Sequence, residues 1–341
     1  MVSSAHTESV GHSWKPDILG EPFEQLTLDL DSDFEGPMVA TLVRRREVPL
    51  RRLASMFNDE AAARGWDVLY VHGWSDYFFQ SELAEFWSAQ GARFFAIDLR
   101  KYGRSLREYQ TPGYITNLAD YDEDIEAALT VMGHGIGEQP TRRLLLMGHS
   151  TGGLTVSLWA DRHPQRAQAL VLNSPWLEFQ AGAVGRRALA PLATIGARLD
   201  PRAPLPNVDL GFYTRAVSSA MDGEWDYNTD WRPARGFPTH PAWLAAIFAG
   251  HQRVAAGLSI SAPVLSMMSS RSTLSVTWSD RMLESDSVLV VDEIAEHSLR
   301  LAPTVTVAKI DRAIHDVLLS AGPVRAVAYG QLGQWARAYL R

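Results

Sequence analysis

Two patterns of apolar positions alternate along most of this chain. Short unbroken runs, Val68-Leu69-Tyr70-Val71, Phe94-Phe95-Ala96-Ile97, Leu144-Leu145-Leu146-Met147 and Ala169-Leu170-Val171-Leu172, have no polar face and predict strands buried on both sides. Between them the apolar residues recur at helical spacing. One such stretch is 77–90, which stops before Gly91; another is 117–132, with Leu118, Tyr121, Ile125, Ala128, Leu129 and Met132 on one face. A third runs from Leu154 to Arg162. Ahead of these, 24–30 and 38–43 predict two strands joined around the turn-rich Asp33-Phe34-Glu35-Gly36-Pro37. Strands alternating with helices imply an α/β fold, a mostly parallel central sheet with helices on both faces.

The alternation stops after Ser174-Pro175. Residues 178–258 are rich in Pro, Gly, Ala, Trp and Arg and carry no strand pattern. Strands resume at 263–268 and 304–308, and 317–340 predicts a closing helical region interrupted by Gly322-Pro323. We therefore read 1–177 as the first part of an α/β core, N-terminal segment included. Residues 178–258 are an insertion on top of it, and 259–341 are its second part. There is no internal repeat.

Composition narrows the function classes. With 341 residues, 46% hydrophobic and 21% charged, the chain reads as a globular protein able to bury a large core. It has no cysteine, which excludes disulfides, thiolate metal sites and cysteine nucleophiles. A formal charge of −7 argues against a protein that tracks a nucleic-acid backbone. The basic runs Arg44-Arg45-Arg46 and Arg51-Arg52 read as a solvated strand end and connection. The polar first seventeen residues lack the apolar stretch of a signal peptide, and no window is apolar enough to span a membrane, so a cytoplasmic location is expected. Oligomeric state is not readable from these features.

The chemistry centres on Gly148-His149-Ser150-Thr151-Gly152-Gly153. It follows a strand pattern and opens a helix pattern, the setting in which G-x-S-x-G is a nucleophile elbow. A serine hydroxyl needs a base to take its proton and a third group to hold that base in one tautomer. Where an elbow is present, acid and base follow the serine in the order acid, then histidine. Of ten histidines, His315 lies just beyond the last predicted strand, at the sheet edge where open α/β folds bind ligands, and is the candidate base. The acid should lie between 268 and 304. Asp280, Glu284, Asp286, Asp292 and Glu293 are available, with Asp286 preferred, Asp292 second and Asp280 third.

An oxyanion hole needs two backbone N–H groups, and those of Thr151 and Trp74 are expected to supply them. The latter follows Gly73 in the loop His72-Gly73-Trp74-Ser75-Asp76, where His72 reads as a brace rather than a base. No H-E-x-x-H or other ligand spacing suggests a metal, and this chemistry requires no cofactor.

The motifs His72-Gly73-Trp74, Asp98-Leu99-Arg100-Lys101-Tyr102-Gly103-Arg104-Ser105, the elbow and His315 together resemble the α/β-hydrolase superfamily. The likeness is to its serine aminopeptidase, lysophospholipase and monoacylglycerol-lipase-like branch, over about residues 20–175 and 260–340. It implies an Asp-x-Val acid, matched here by Asp286-Ser287-Val288, and a helical cap, matched by 178–258. The chain departs from the family in carrying Lys101 where glycine is usual and in a longer stretch between Met268 and Asp286.

The aromatics of the insertion (Phe179, Phe212, Tyr213, Trp225, Tyr227, Trp231, Phe237, Trp243, Phe248) suit an apolar acyl or aromatic ester, although most should form the insertion's own small core. Trp225 and Trp243 there, with His149 and Trp176 beside the elbow, are candidate substrate contacts.

The expected function is hydrolysis of a small or medium acyl ester, such as a monoacylglycerol. The alternatives are an amidase or aminopeptidase, whose free amine would need carboxylates such as Glu178, Asp222, Glu224, Asp226 or Asp230, and a silent ligand receptor. Serine at position 150 argues against dehalogenases and epoxide hydrolases, whose members of this fold use aspartate there.

Overall fold

The structure is a computed structural model that describes residues 13–46, 61–179, 195–206 and 209–341. The run Arg51-Arg52 and residues 180–194 and 207–208 of the expected insertion lie outside the described residues. The strands are β1 (Lys15–Pro16), β2 (Phe23–Asp33), β3 (Gly36–Arg45), β4 (Trp66–Val71), β5 (Arg93–Asp98), β6 (Arg143–His149), β7 (Ala169–Asn173), β8 (Val264–Ser269) and β9 (Val305–Ile310). They form one sheet in the order β1-β2-β3-β5-β4-β6-β7-β8-β9. The first three strands and the β3–β5 pairing are antiparallel, and every pairing from β5 to β9 is parallel.

The apolar runs are unbroken because both faces of the sheet are covered. Leu69, Val71, Ile97, Leu146 and Leu172 point to one side, where they pack with Ile125, Leu129, Leu154 and Trp159. Their neighbours Val68, Tyr70, Ala96, Met147 and Val171 point to the other, with Leu83, Trp87, Leu332 and Trp335. Burial of each such side chain is worth about 1.5–3 kcal/mol, so these two layers hold the sheet. The first layer comes from α2 (Tyr121–Met132) and α3 (Thr151–Arg162), the second from α1 (Ser81–Ala89) and α7 (Gly322–Tyr339).

Two helix boundaries differ from the sequence expectation. α1 starts at Ser81, not at Tyr77, because the Phe78 N–H donates to the Asp98 carboxylate (2.9 Å) and pins the preceding residues to the β5 end. Gly322-Pro323 does not interrupt the last helix but begins it. Proline in the first turn needs no N–H partner and is already set to the helical φ. An additional helix α6 (Val291–Ser298) links β8 and β9.

Between β7 and β8 the chain leaves the sheet, and this segment holds α4 (Phe212–Val217) and α5 (Pro241–Ala255). α5 lays Trp243, Ile247 and Val254 onto the α2–α3 layer. Among the described residues no helix is long and apolar enough to cross a membrane.

Candidate active site

The turn between β6 and α3 places Ser150 at φ 51°, ψ −117°. A non-glycine residue held there stores about 1–3 kcal/mol of strain. Its N–H donates to the Asn173 carbonyl (3.0 Å), and its carbonyl accepts from Leu154 (3.2 Å) and Trp176 (3.0 Å). The flanking glycines are required by close backbone approach. A Cβ on Gly152 would lie 2.3 Å from the His72 carbonyl oxygen, and one on Gly148 would lie 2.5 Å from that of Gly152.

His315 sits in the turn after β9, and its Nδ1 is 2.9 Å from Asp286 Oδ2. The other carboxylate oxygen accepts the N–H groups of Val288 (2.8 Å) and Leu289 (2.7 Å). An acceptor so occupied fixes the proton on Nδ1 and leaves Nε2 as the basic nitrogen. The long stretch after β8 folds back to clamp Asp286. Its N–H donates to Arg271 and its carbonyl accepts from Thr273. Of the other acids, Asp292 is exposed and paired with Lys309 (2.6 Å), Asp280 accepts from the Trp278 indole (3.2 Å), and Glu284 pairs with Arg312. Glu293 lies beside Asp292 on α6.

The loop after β4 passes against the elbow: a Cβ on Gly73 would be 3.1 Å from that of Ser150. Among the described residues the Trp74 N–H has no acceptor. Thr151 opens α3, so its N–H lies at the positive end of the helix. His72 is a brace, as its sequence position suggested. Its Nδ1–H donates to the Gly73 carbonyl (2.8 Å), Nε2 accepts from Leu99 (3.1 Å), and burial pushes its pKa down, leaving it neutral. Lys101 takes the left-handed backbone (φ 65°) that glycine would adopt without strain, and its buried ammonium pairs with Asp33 and Glu35 at 2.6 Å.

Three of the four candidate substrate contacts gather near the elbow. The His149 ring lies 4.9 Å from that of His315, with Nδ1 against the Asn173 carbonyl (3.1 Å), and burial lowers its pKa. The Trp243 ring is 6.0 Å from that of Trp176, whose backbone N–H donates to the Ser150 carbonyl, and 4.0 Å from that of Trp74. Trp225 stands elsewhere. Its indole N–H donates to Leu319 (3.0 Å), and its ring lies against Phe79 and under the Arg325 guanidinium.

Sequence reasoning missed a buried polar group around His315. Asp316 accepts from the Asn173 amide (2.5 Å), the Tyr213 ring meets the His315 ring edge-on at 5.2 Å, and Arg232 approaches Asp76 (3.2 Å). Burial pushes the carboxyl of Asp76 up and the phenol of Tyr213 well up. The adjacency of Asp316 to His315 was a usable signal. Arg232 gave none, because an arginine in a stretch without strand or helix pattern reads as solvated. Among the described residues no cluster of three His, Asp or Glu could hold a metal ion.

The fold is similar to that of a monoacylglycerol lipase from Paleococcus ferrophilus, with TM-score 0.58 and 19% identity over 80% of this chain and 94% of that one. A soluble variant of monoglyceride lipase from Saccharomyces cerevisiae gives 0.61 and 14%, covering 92% and 95%. A thermophilic esterase from Thermogutta terrifontis gives 0.54 and 15%, covering 92% and 99%. These likenesses establish the α/β-hydrolase fold. In sequence, a monoacylglycerol lipase of Mycolicibacterium smegmatis is 27% identical over 241 residues, 69% of this chain and 77% of the relative. Residues 63–276, more than half the chain and including the β4 loop and the elbow, match the family described as serine aminopeptidase, S33, and the chain belongs to that family.

Proposed function

We propose that this chain is a serine hydrolase of carboxylic esters. The observation that carries the reading is the strained Ser150 on its elbow, in the same sheet edge as a buried His315 hydrogen-bonded to Asp286. Ser150 attacks the ester carbonyl as His315 Nε2 takes its proton, and Asp286 orients and stabilises the imidazolium. The N–H groups of Trp74 and Thr151 receive the oxyanion. His315 then protonates the leaving alcohol, and water repeats the cycle on the acyl-enzyme.

Residues 178–258 act as the cap, and a small or medium acyl ester of the monoacylglycerol type is the proposed substrate. The monoacylglycerol lipase that is its sequence relative supports that class, as does the aromatic wall of Trp74, Trp176 and Trp243. An aminopeptidase would need a carboxylate to meet a free amine, but four of the five candidates are engaged elsewhere, and the fifth, Asp230, is solvent-exposed. Glu178 faces His297 (3.2 Å), Asp222 pairs with Arg215 (2.5 Å), Glu224 pairs with Arg325 (3.0 Å), and Asp226 accepts from Ser219.

Fluorophosphonate labelling tests the reading. Label should appear on the wild type and vanish in Ser150→Ala, and an unlabelled wild type would overturn the mechanism. Turnover across p-nitrophenyl esters of graded acyl length, beside aminoacyl arylamides, then separates esterase from aminopeptidase.

A further inference from the structure

Four consecutive residues of the β4 loop are each held by the cap. The Trp74 ring lies 4.0 Å from Trp243, and the Ser75 hydroxyl accepts the Phe237 N–H at 3.0 Å. Asp76 Oδ1 is 3.2 Å from Arg232 Nε, and the Tyr77 hydroxyl accepts the Asn228 N–H at 2.7 Å. The cap partners come in reverse order, so the cap chain runs opposite to the loop and spans its length. Arg232 is 3% exposed, with its guanidinium over Tyr227 (4.6 Å) and Tyr213 (5.1 Å).

As a stability device the Arg232–Asp76 pair is poor. Neither Asp76 Oδ1 nor Arg232 Nη1 has an aligned hydrogen-bond partner among the described residues, and taking two charges out of water offsets most of their attraction. Its location is what distinguishes it. The pair ties the cap to the loop two residues from the Trp74 N–H, in backbone already bent to φ 51° at Ser75.

Resting on the reading of that loop as half of the oxyanion hole, we propose that Arg232 is a positioning residue: acting through Asp76, it aims the Trp74 N–H at the developing oxyanion. Cap docking thus completes the catalytic site, and a displaced cap leaves the triad intact with an oxyanion hole short of one aimed donor.

The test is kcat and KM on one p-nitrophenyl ester for wild type, Arg232→Met, Arg232→Lys, Asp76→Asn and the double variant Arg232→Met/Asp76→Asn. Affinity is measured in parallel for an alkyl boronic acid, which forms a tetrahedral adduct on Ser150, and for the free carboxylic acid product. Arg232→Met should lower kcat about 10–100-fold with KM within about twofold, since a misaimed donor costs much of what a deleted one does. Boronate affinity should fall in step with kcat/KM while product affinity holds. Arg232→Lys should recover most of the rate, and the double variant should be no slower than the slower single, because one pair is lost only once.

An unchanged kcat in Arg232→Met overturns the proposal, as does a raised KM at unchanged kcat, which would make Arg232 a substrate ligand. Losses that add in the double variant overturn it too. If Arg232→Met does not fold, Arg232→Lys and Asp76→Asn with the boronate carry the same decision. Failure of the esterase reading looks different: a wild type that neither labels nor turns over. Failure here is an active, labelled wild type whose Arg232 variants keep its kcat.

Discussion

Asp286 holds His315 through one oxygen and is held through the other by two backbone N–H groups, so its carboxylate cannot turn away without breaking both. Asp286→Asn keeps the shape but offers an NH2 or a weaker acceptor to Nδ1–H, which favours the wrong imidazole tautomer. We expect kcat/KM to fall about 10³–10⁴-fold, while Asp292→Asn, exposed and paired with Lys309, changes it less than about twofold. Steady-state kinetics on one ester check the ranking, and the reverse order would move the acid to α6. The placement of Ser150 and His315 was legible in the sequence because each follows a strand pattern, and the pairing of Asp286 with His315 was anticipated from the family resemblance. Asn173, Tyr213 and Arg232 were not legible. Their roles come from contacts between segments far apart in the chain, and no local pattern marks a buried polar residue.

At the opposite edge of the sheet, Asp67 on β4 gathers Arg93 from β5, Arg142 from the residue before β6, and His134 from beyond α2. Burial pushes this carboxyl up, but the Arg93 and His134 hydrogen bonds and Arg142 outweigh it and hold the pKa at about 2. A carboxylate depressed in the folded state contributes stability that is fully present above about pH 4. That contribution is lost as pH falls through about 2. It amounts to about 2 kcal/mol. Urea unfolding should therefore show Asp67→Asn well below wild type at pH 7, with the gap narrowing by pH 3; a gap constant across that range would refute the linkage. Among the elements themselves, the buried strands were legible from their unbroken apolar runs. The short α6 and the true start of α1 were not. α6 is only two turns long, and the start of α1 depends on the Phe78–Asp98 hydrogen bond, which joins residues on different elements.

For the whole molecule, the consequence lies in where the chain leaves and rejoins the sheet. It departs after β7 at Asn173 and returns in β8 at Val264, and these two strands are hydrogen-bonded neighbours. Closing a loop between fixed neighbouring ends costs only about 0.6 kcal/mol more each time its length doubles. The length of this insertion is thus almost free to drift, provided α5 still covers the α2–α3 layer. Exchange of residues 178–258 for the cap of a related hydrolase should leave a folded core whose melting temperature by calorimetry stays within a few degrees. Yet the borrowed cap should give a slow enzyme until the partners of Trp74, Ser75, Asp76 and Tyr77 are restored in it, and full speed without them would break that link. Descent in this lineage is then expected to vary the roof while retaining the face of α5 that packs on the core and the few points where it touches the β4 loop.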